Sequence, residues 1–175
     1  MSQRRAGLGF TLLELLVTVA LLSIIITSVT PSIGNFYKRN KVASIVNNHT
    51  AALQLARHTA VNENVFVVVC PTKDMTTCED DWTMLKMVFI DEDADGALDG
   101  NEEIIGSADM VKSFQITSTR DNLRFAPFNT AQNSTATITI CPDEDDTHFA
   151  RALVISNVGR VRLEKDPTLI DCSAS

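Results

Sequence analysis

From Leu12 to Val29 the only charged residue is Glu14, and Thr18, Ser23, Thr27 and Ser28 are the only other polar ones. Counted from Phe10, this gives about twenty largely apolar positions, enough for a helix to cross a hydrocarbon core of ~30 Å. After Pro31 and Gly34 the pattern becomes one-sided. Val42, Ile45, His49, Leu53, Ala56 and Ala60 recur every three or four residues, while Lys38, Arg39, Lys41 and Arg57 fall largely off that stripe. One helix from Phe10 to about Asn62 would be ~80 Å long at 1.5 Å per residue, with a bend near Pro31. An all-round apolar half suits a membrane or filament core, and a one-sided half suits packing against a globular head. His49 sits on the buried stripe and reads as a hydrogen-bonded core residue, not a ligand.

At about Glu63 the periodicity shifts to strand chemistry. Val65–Cys70 is a buried-strand run ended by Pro71, and Trp82–Ile90 alternates with Leu85, Met87 and Phe89 on one face. Lys112–Thr117, Asn122–Phe125, Thr135–Cys141, Arg151–Ile155 and Arg160–Leu163 follow, separated by turn residues. Short strands in this order predict an antiparallel sheet or sandwich, so the class is α+β: a long N-terminal helix packed on a β-rich head. The chain divides into residues 1–9, 10–30, 31–62 and 63–175.

Composition adds little to the fold but narrows the function. Lys and Arg total 15 against 22 Asp and Glu, a formal charge of −7. Such a balance argues against a generic nucleic-acid binder, although a local basic patch survives it. Cys70, Cys78, Cys141 and Cys172 all follow the apolar run, which places them in an oxidising periplasm if that run is inserted. No histidine stands at ligand spacing, so two disulfides are expected in preference to a zinc site. Four cysteines allow three pairings. Cys70–Cys78 as a local loop and Cys141–Cys172 as a clasp on the C-terminal tail are the expected pair, with the other pairings open. No nucleophile elbow, phosphate loop or metalloprotease helix is present, and His49, His58 and His148 lack evident acid/base partners. The expectation is a non-enzyme.

Ahead of the apolar run lies a short leader carrying Arg4 and Arg5, which sets the N-terminus on the cytoplasmic side. A secretory signal would place a small-residue cleavage site after the apolar region; here the run passes straight into a helical segment. A plain anchor leaves Glu14 unexplained, because a carboxylate near the membrane interface is costly unless paired. Cleavage between Gly9 and Phe10 supplies a partner: a new α-ammonium at Phe10, which Glu14 of a neighbouring copy can neutralise.

The basic leader, Gly9 before Phe10, Thr11-Leu12, then Glu14 and an apolar helix with a downstream Pro31 resemble the type IV prepilin signature. The resemblance implies removal of residues 1–9 by a prepilin peptidase and N-methylation of Phe10. That removal moves the charge from −7 to −9, since Arg4 and Arg5 leave. In the head, Ala56-Arg57, Val69-Cys70, Trp82, Val88-Phe89-Ile90-Asp91, the acidic loop after it and Val154-Ile155-Ser156 leading to Gly159-Arg160-Val161-Arg162 resemble the GspH/FimT/FimU group of minor pilins and pseudopilins. The implied fold is type IV pilin-like. The implied function is a minor pilin of a type IV pilus, in its tip or priming complex, with a GspH-type pseudopilin of type II secretion as the alternative. Other minor and major pilins, the peptidase and the inner membrane are the implied partners. The implied location is a single-pass inner-membrane protein with a periplasmic head, later part of the pilus.

Two local patterns carry further chemistry. Asp91, Asp93, Asp95, Gly96, Asp99 and Glu102 match the calcium-loop pattern D-x-D-x-D-G-x5-E position by position, with oxygen ligands at alternate positions, Gly96 for the turn and Glu102 as closer. The flanks do not match, since a strand leads in where such loops use helices. The competing reading is a solvated connection between strands. The run Asp143–Asp146 has no such spacing and reads as solvated. In the second pattern, Asn157-Val158-Gly159 punctuates two strands, and Arg160 and Arg162 project from the same face ~7 Å apart, with Val161 turned to the core. Two guanidiniums so spaced suit neighbouring phosphates of double-stranded DNA. In FimT-type minor pilins a Gly-Arg-x-Arg motif at this place is associated with DNA capture, and Gly159, Arg160 and Arg162 match it. An ordinary outward arginine pair is the competing reading, and Lys112, Arg120, Arg124, Arg151 and Lys165 are candidates to widen a patch.

Overall fold

The one-sided stripe on the second half of the helix finds its cover in two antiparallel sheets. The computed structural model describes residues 10–100, 102–128, 134–142 and 147–172, with the side chains of 28–32 outside the description. Helix α1 runs Leu12–Glu63, 52 residues, continuing through Pro31. Two compact units divide at Lys38/Arg39, so the amphipathic half of α1 belongs with the head.

In the second unit, β1 (Phe66–Thr72), β2 (Leu85–Asp91), β3 (Ile104–Ala108) and β5 (Leu123–Phe125) form one sheet in the order β3-β2-β1-β5. The other contains β4 (Gln115–Ser118), β6 (Ala136–Cys141), β7 (Arg151–Ile155) and β8 (Val161–Glu164), ordered β4-β6-β7-β8. Every pairing is antiparallel. Val42, Ile45, Leu53, Ala56 and Ala60 of α1 share one buried cluster with Val67, Val69 and Val88 of the first sheet and Ile138, Ile140 and Leu153 of the second. Ala56 and Ala60 are fully buried, small residues where the helix lies closest to its cover.

Both faces of the β1–β2 pair are buried. Val67, Val69 and Val88 look into the main core, whereas Val68, Cys70, Met87 and Phe89 form a separate cluster on the far face, with Met75, Cys78 and Leu98 packed over it. Two loops therefore roof the far face: the one closed by the Cys70–Cys78 disulfide and the acidic loop after β2. The second disulfide, Cys141–Cys172, joins β6 to the tail and sits in a small buried cluster with Ala150, Ala152 and Ile170.

Three details depart from the sequence expectation. Pro71 does not end β1, which continues to Thr72; β5 pairs only with residues 67–69, so at 71 no ladder hydrogen bond is required on that side. Trp82 stands in the turn before β2, buried, with its Nε1–H donating to the Arg120 carbonyl at 3.0 Å. Strand β3 was not expected. It is short and carries Gly106, where a Cβ would lie 2.6 Å from Leu55 Cδ2, so a larger residue there makes the Leu55 side chain shift.

Polar groups also clasp helix to head. His49 is 2% exposed and its Nδ1–H donates to the Ile45 carbonyl at 2.9 Å, leaving Nε2 buried without a partner. Lys86 of β2, also buried, donates to the carbonyls of Met84 and Asp109. The Asp109 N–H donates to Asn48 Oδ1 of α1 at 2.9 Å. Burial, reinforced by the Lys86 charge, lowers the His49 pKa to about 4, while burial lowers that of Lys86 to about 8 against the pull of Asp81 and Asp109.

Candidate functional site

Thr11 precedes the first helical residue, and its Oγ1 accepts the N–H of Glu14 at 3.2 Å. This is the Thr-x-x-Glu arrangement of a helix start, with Glu14 in the first turn where a carboxylate meets the positive end of the helix dipole. Part of the reason for an acid at this position is therefore local. From Phe10 (84% exposed) to Ile26 every large apolar side chain of the run is exposed, including Leu12, Leu15, Leu22 and Ile25. Its polar residues bond inwards: Thr18 donates to the Leu15 carbonyl, Ser23 to Ala20, and Thr27 to Ser23 and Ile24. Among the described residues no helix is long and apolar enough to cross a membrane; residues 12–27 rise only ~24 Å. Residues 1–9, with Arg4, Arg5 and Gly9, lie outside the described residues, as do Asp143–Asp146.

The hairpin between β7 and β8 explains Gly159. The Gly159 N–H donates to the Ser156 carbonyl at 2.7 Å and the Ser156 N–H to the Arg160 carbonyl at 3.1 Å, a tight turn closed by a residue at φ 70°. Glycine takes that left-handed position without strain. Arg160 lies just outside β8, exposed, its guanidinium making no hydrogen bond or ion pair among the described residues. Arg162 lies within β8 and donates to Glu164 Oε2 at 2.6 Å. That contact is the main reason the Glu164 carboxyl lies below its usual range. Val161 between them packs partly on the core.

Several of the additional cations are engaged elsewhere. Arg120 donates to the Thr135 carbonyl, and Arg124, over the Phe66 ring at 5.4 Å, donates to the Ala94 carbonyl in the acidic loop. Arg151 and Lys165 line a cavity of about 220 Å³ with Arg39, Phe149 and Leu163. Arg57 of α1 donates to the Val158 carbonyl at the hairpin tip. Arg57 was noticed in the sequence for its place near the helix end, but nothing in its spacing disclosed a partner 101 residues away.

In the acidic loop, carboxylate oxygens of Asp91, Asp93 and Asp95 all lie within 4.8 Å of one another. Asp91 is fully buried: Oδ2 accepts the Gly96 N–H at 3.2 Å, while Oδ1 is inaccessible and accepts nothing among the described residues. Burial raises its carboxyl above the usual range, opposed chiefly by the Gly96 N–H. Asp93 and Asp95 are exposed, each accepting a backbone N–H two residues on. Asp99 and Glu102 stand apart from this trio. Glu102 braces the loop instead, Oε1 accepting from Glu92 N–H at 2.8 Å and Oε2 from Asp99 N–H at 3.2 Å.

Comparison with known proteins agrees with this architecture. The family described as Type II transport protein GspH matches residues 46–159, and the prokaryotic N-terminal methylation motif matches residues 4–30. Crystal structures of the type IV minor pilin FimU of Pseudomonas aeruginosa share the fold. In space group P21 the TM-score is 0.59 at 22% identity, over 78% of this chain and 98% of that one; in P65 it is 0.53 at 21%, over 76% and 98%. No curated protein matches the sequence. The long helix on antiparallel sheets is thus the type IV pilin fold. The chain belongs to the GspH family, within the GspH/FimT/FimU group of minor pilins and pseudopilins.

Proposed function

We propose that this chain is a minor pilin of a type IV pilus, cleaved between Gly9 and Phe10, methylated at Phe10, held in the inner membrane by residues 10–30 with its head in the periplasm, and then drawn into the filament. The observation that carries this reading is the run from Phe10 to Ile26, helical from Leu12, apolar all round and uncovered, with one carboxylate in the helix's first turn. A helix hydrophobic on every side needs lipid or neighbouring subunits around it. Its hydroxyls are satisfied within the helix, which suits a setting without water. The run reaches about twenty residues only when 28 and 29 are counted with it, the length a span requires. Glu14 then serves twice, at its own helix start and against the Phe10 ammonium of a neighbour.

Glu14→Gln separates the two roles, because it keeps a Thr-x-x-Gln helix start and loses the charge. The expected outcome is a processed, stably folded protein, with Phe10 as its methylated first residue by mass spectrometry, that no longer enters sheared pili. Normal incorporation of Glu14→Gln, or recovery of an unprocessed N-terminus from membranes, would overturn the proposal.

The family description favours a second reading, a pseudopilin of type II secretion. Deletion of the gene distinguishes them: loss of pili supports the first and loss of exported protein the second. DNA capture is a finer role within the pilus reading. Arg160 supports it as an exposed, unpaired guanidinium; the Arg162–Glu164 ion pair and the acidic head work against it. If DNA is bound here, Arg160→Ala lowers the salt slope of binding by about 1 in a gel-shift titration, and Arg162→Ala changes it less. Equal effects of the two would show that Glu164 does not neutralise Arg162.

A further inference from the structure

The loop from Asp91 to Glu103 carries seven carboxylates and no basic residue, and the fold gathers two of them around a third, the buried Asp91. Asp91 ends β2 inside the protein, and the backbone turn brings Asp93 and Asp95 to it until oxygens of all three lie within 4.8 Å. Like charges this close repel, and among the described residues nothing donates to Asp91 Oδ1, which has no surface open to water. An inaccessible carboxylate oxygen without a donor is costly. The side-chain oxygens gathered beside it belong to two further acids. The backbone arrangement is not what points to a ligand; the orphaned oxygen among acids is. Arg124 does not relieve it, since its guanidinium engages the Ala94 carbonyl and not a carboxylate.

We infer that Asp91, Asp93 and Asp95 together bind one Ca2+. Calcium takes oxygen ligands at about 2.3–2.6 Å, so two oxygens on one ion stand no more than about 5.2 Å apart, a limit this trio, within 4.8 Å of one another, satisfies. Magnesium demands near-ideal octahedral geometry at about 2.0–2.1 Å and sheds water reluctantly, which suits a bent surface loop poorly. The ligand set differs from the one the sequence pattern gives. Glu102 is engaged with the N–H groups of Glu92 and Asp99, so it acts as a brace on the loop and not as the bidentate closer. The remaining positions fall to a backbone carbonyl and water, and the affinity is that of an extracellular module, with Kd about 10⁻⁴–10⁻³ M. The ion pins a roof: Leu98 of the same loop packs on Val68, Met87 and Phe89, so binding ties β2 and its far-face cluster together.

The test uses the full-length chain in detergent micelles, freed of metal with a chelator, and the probes are CaCl2 and MgCl2. Isothermal titration is expected to show one saturable Ca2+ site, with Mg2+ at least about tenfold weaker, and saturating Ca2+ to raise Tm by about 5 °C. Asp93→Asn with Asp95→Asn keeps the side-chain oxygens that accept the loop N–H groups, so the protein folds, and is expected to weaken Ca2+ more than about tenfold. Asp121→Asn, an exposed acid elsewhere, leaves it unchanged. No saturable heat at about 10 mM Ca2+, equal affinity in the double variant, or Mg2+ bound as tightly would each overturn the inference. None of these outcomes depends on whether the chain enters a filament.

Discussion

Replacing Cys141 and Cys172 together by alanine is expected to lower the unfolding free energy by about 3–4 kcal/mol, measured by urea denaturation of the oxidised full-length chain. The magnitude comes from the loop each disulfide closes. A cross-link restricts the unfolded chain in proportion to the logarithm of loop length, and the separation here is 31 residues against 8 for Cys70–Cys78; the shorter bridge contributes about 2.5 kcal/mol on the same relation. The longer one also holds the tail, whose own devices are modest: a turn at Pro167–Leu169 capped by Asp166, and Ile170 in the small cluster beside the disulfide. A domain is stable by only about 5–15 kcal/mol, so the loss is a large fraction. Adding reductant to the wild type should cost more than the double substitution alone, because it opens both bridges. If the double variant unfolds at the wild-type midpoint, the tail is held by packing and the loop-entropy account fails.

The N-terminal third was open to reading from the sequence because its signals are one-dimensional. An apolar run, a lone acid and a proline need no knowledge of what they touch, and all six positions that the periodicity of α1 marks between Val42 and Ala60 are buried, although Val46, Ala52 and Thr59 are buried beside them. The strands between Phe66 and Glu164 were found where alternation or β-branched runs were strong, as in Phe66–Cys70 and Ala136–Cys141. Strand β3 escaped because Gly106 and Ala108 have little strand propensity; at Gly106 the missing Cβ leaves room for Leu55. Which strand joins which sheet was not legible either, since the chain crosses to the second sheet at β4, returns at β5 and crosses again at β6. The same limit applies to the candidate sites. Spacing matched five acids to a calcium-loop pattern, and only folding separates the three that converge from Glu102, which braces backbone N–H groups instead. It likewise put Arg160 and Arg162 on one face without revealing that Glu164 holds one of them.

Acid should destabilise the wild type more than a His49→Leu variant, and the gap should open between pH 6.5 and 4. The charge of Lys86, on β2, further disfavours protonation of a ring already stripped of water. In the folded chain the imidazole has a pKa of about 4; unfolded, it returns to 6.5. Above pH 6.5 the ring is neutral in both states and stability is unaffected. Below it the unfolded chain takes up a proton that the folded chain refuses, so unfolding becomes more favourable as pH falls, until the folded ring also protonates near pH 4. At about 1.4 kcal/mol per pKa unit the full penalty is about 3 kcal/mol, and most of it, about 2.5 kcal/mol, has accrued by pH 4.5. Leucine at this position keeps the apolar contact with the core and removes the titration. Carboxylates that also titrate in this range, including Glu164 beside Arg162, are common to both proteins and cancel in the difference. Urea midpoints for the two proteins at pH 7.5 and 4.5 should therefore diverge by the equivalent of about 2.5 kcal/mol in favour of the variant. Lys86→Met supplies the cross-check: removing the neighbouring charge lifts the His49 pKa and shrinks the acid penalty. Parallel stability curves for wild type and His49→Leu across this interval would mean that the ring is protonated in the folded state, and that α1 is not packed against β2 as closely as its burial indicates.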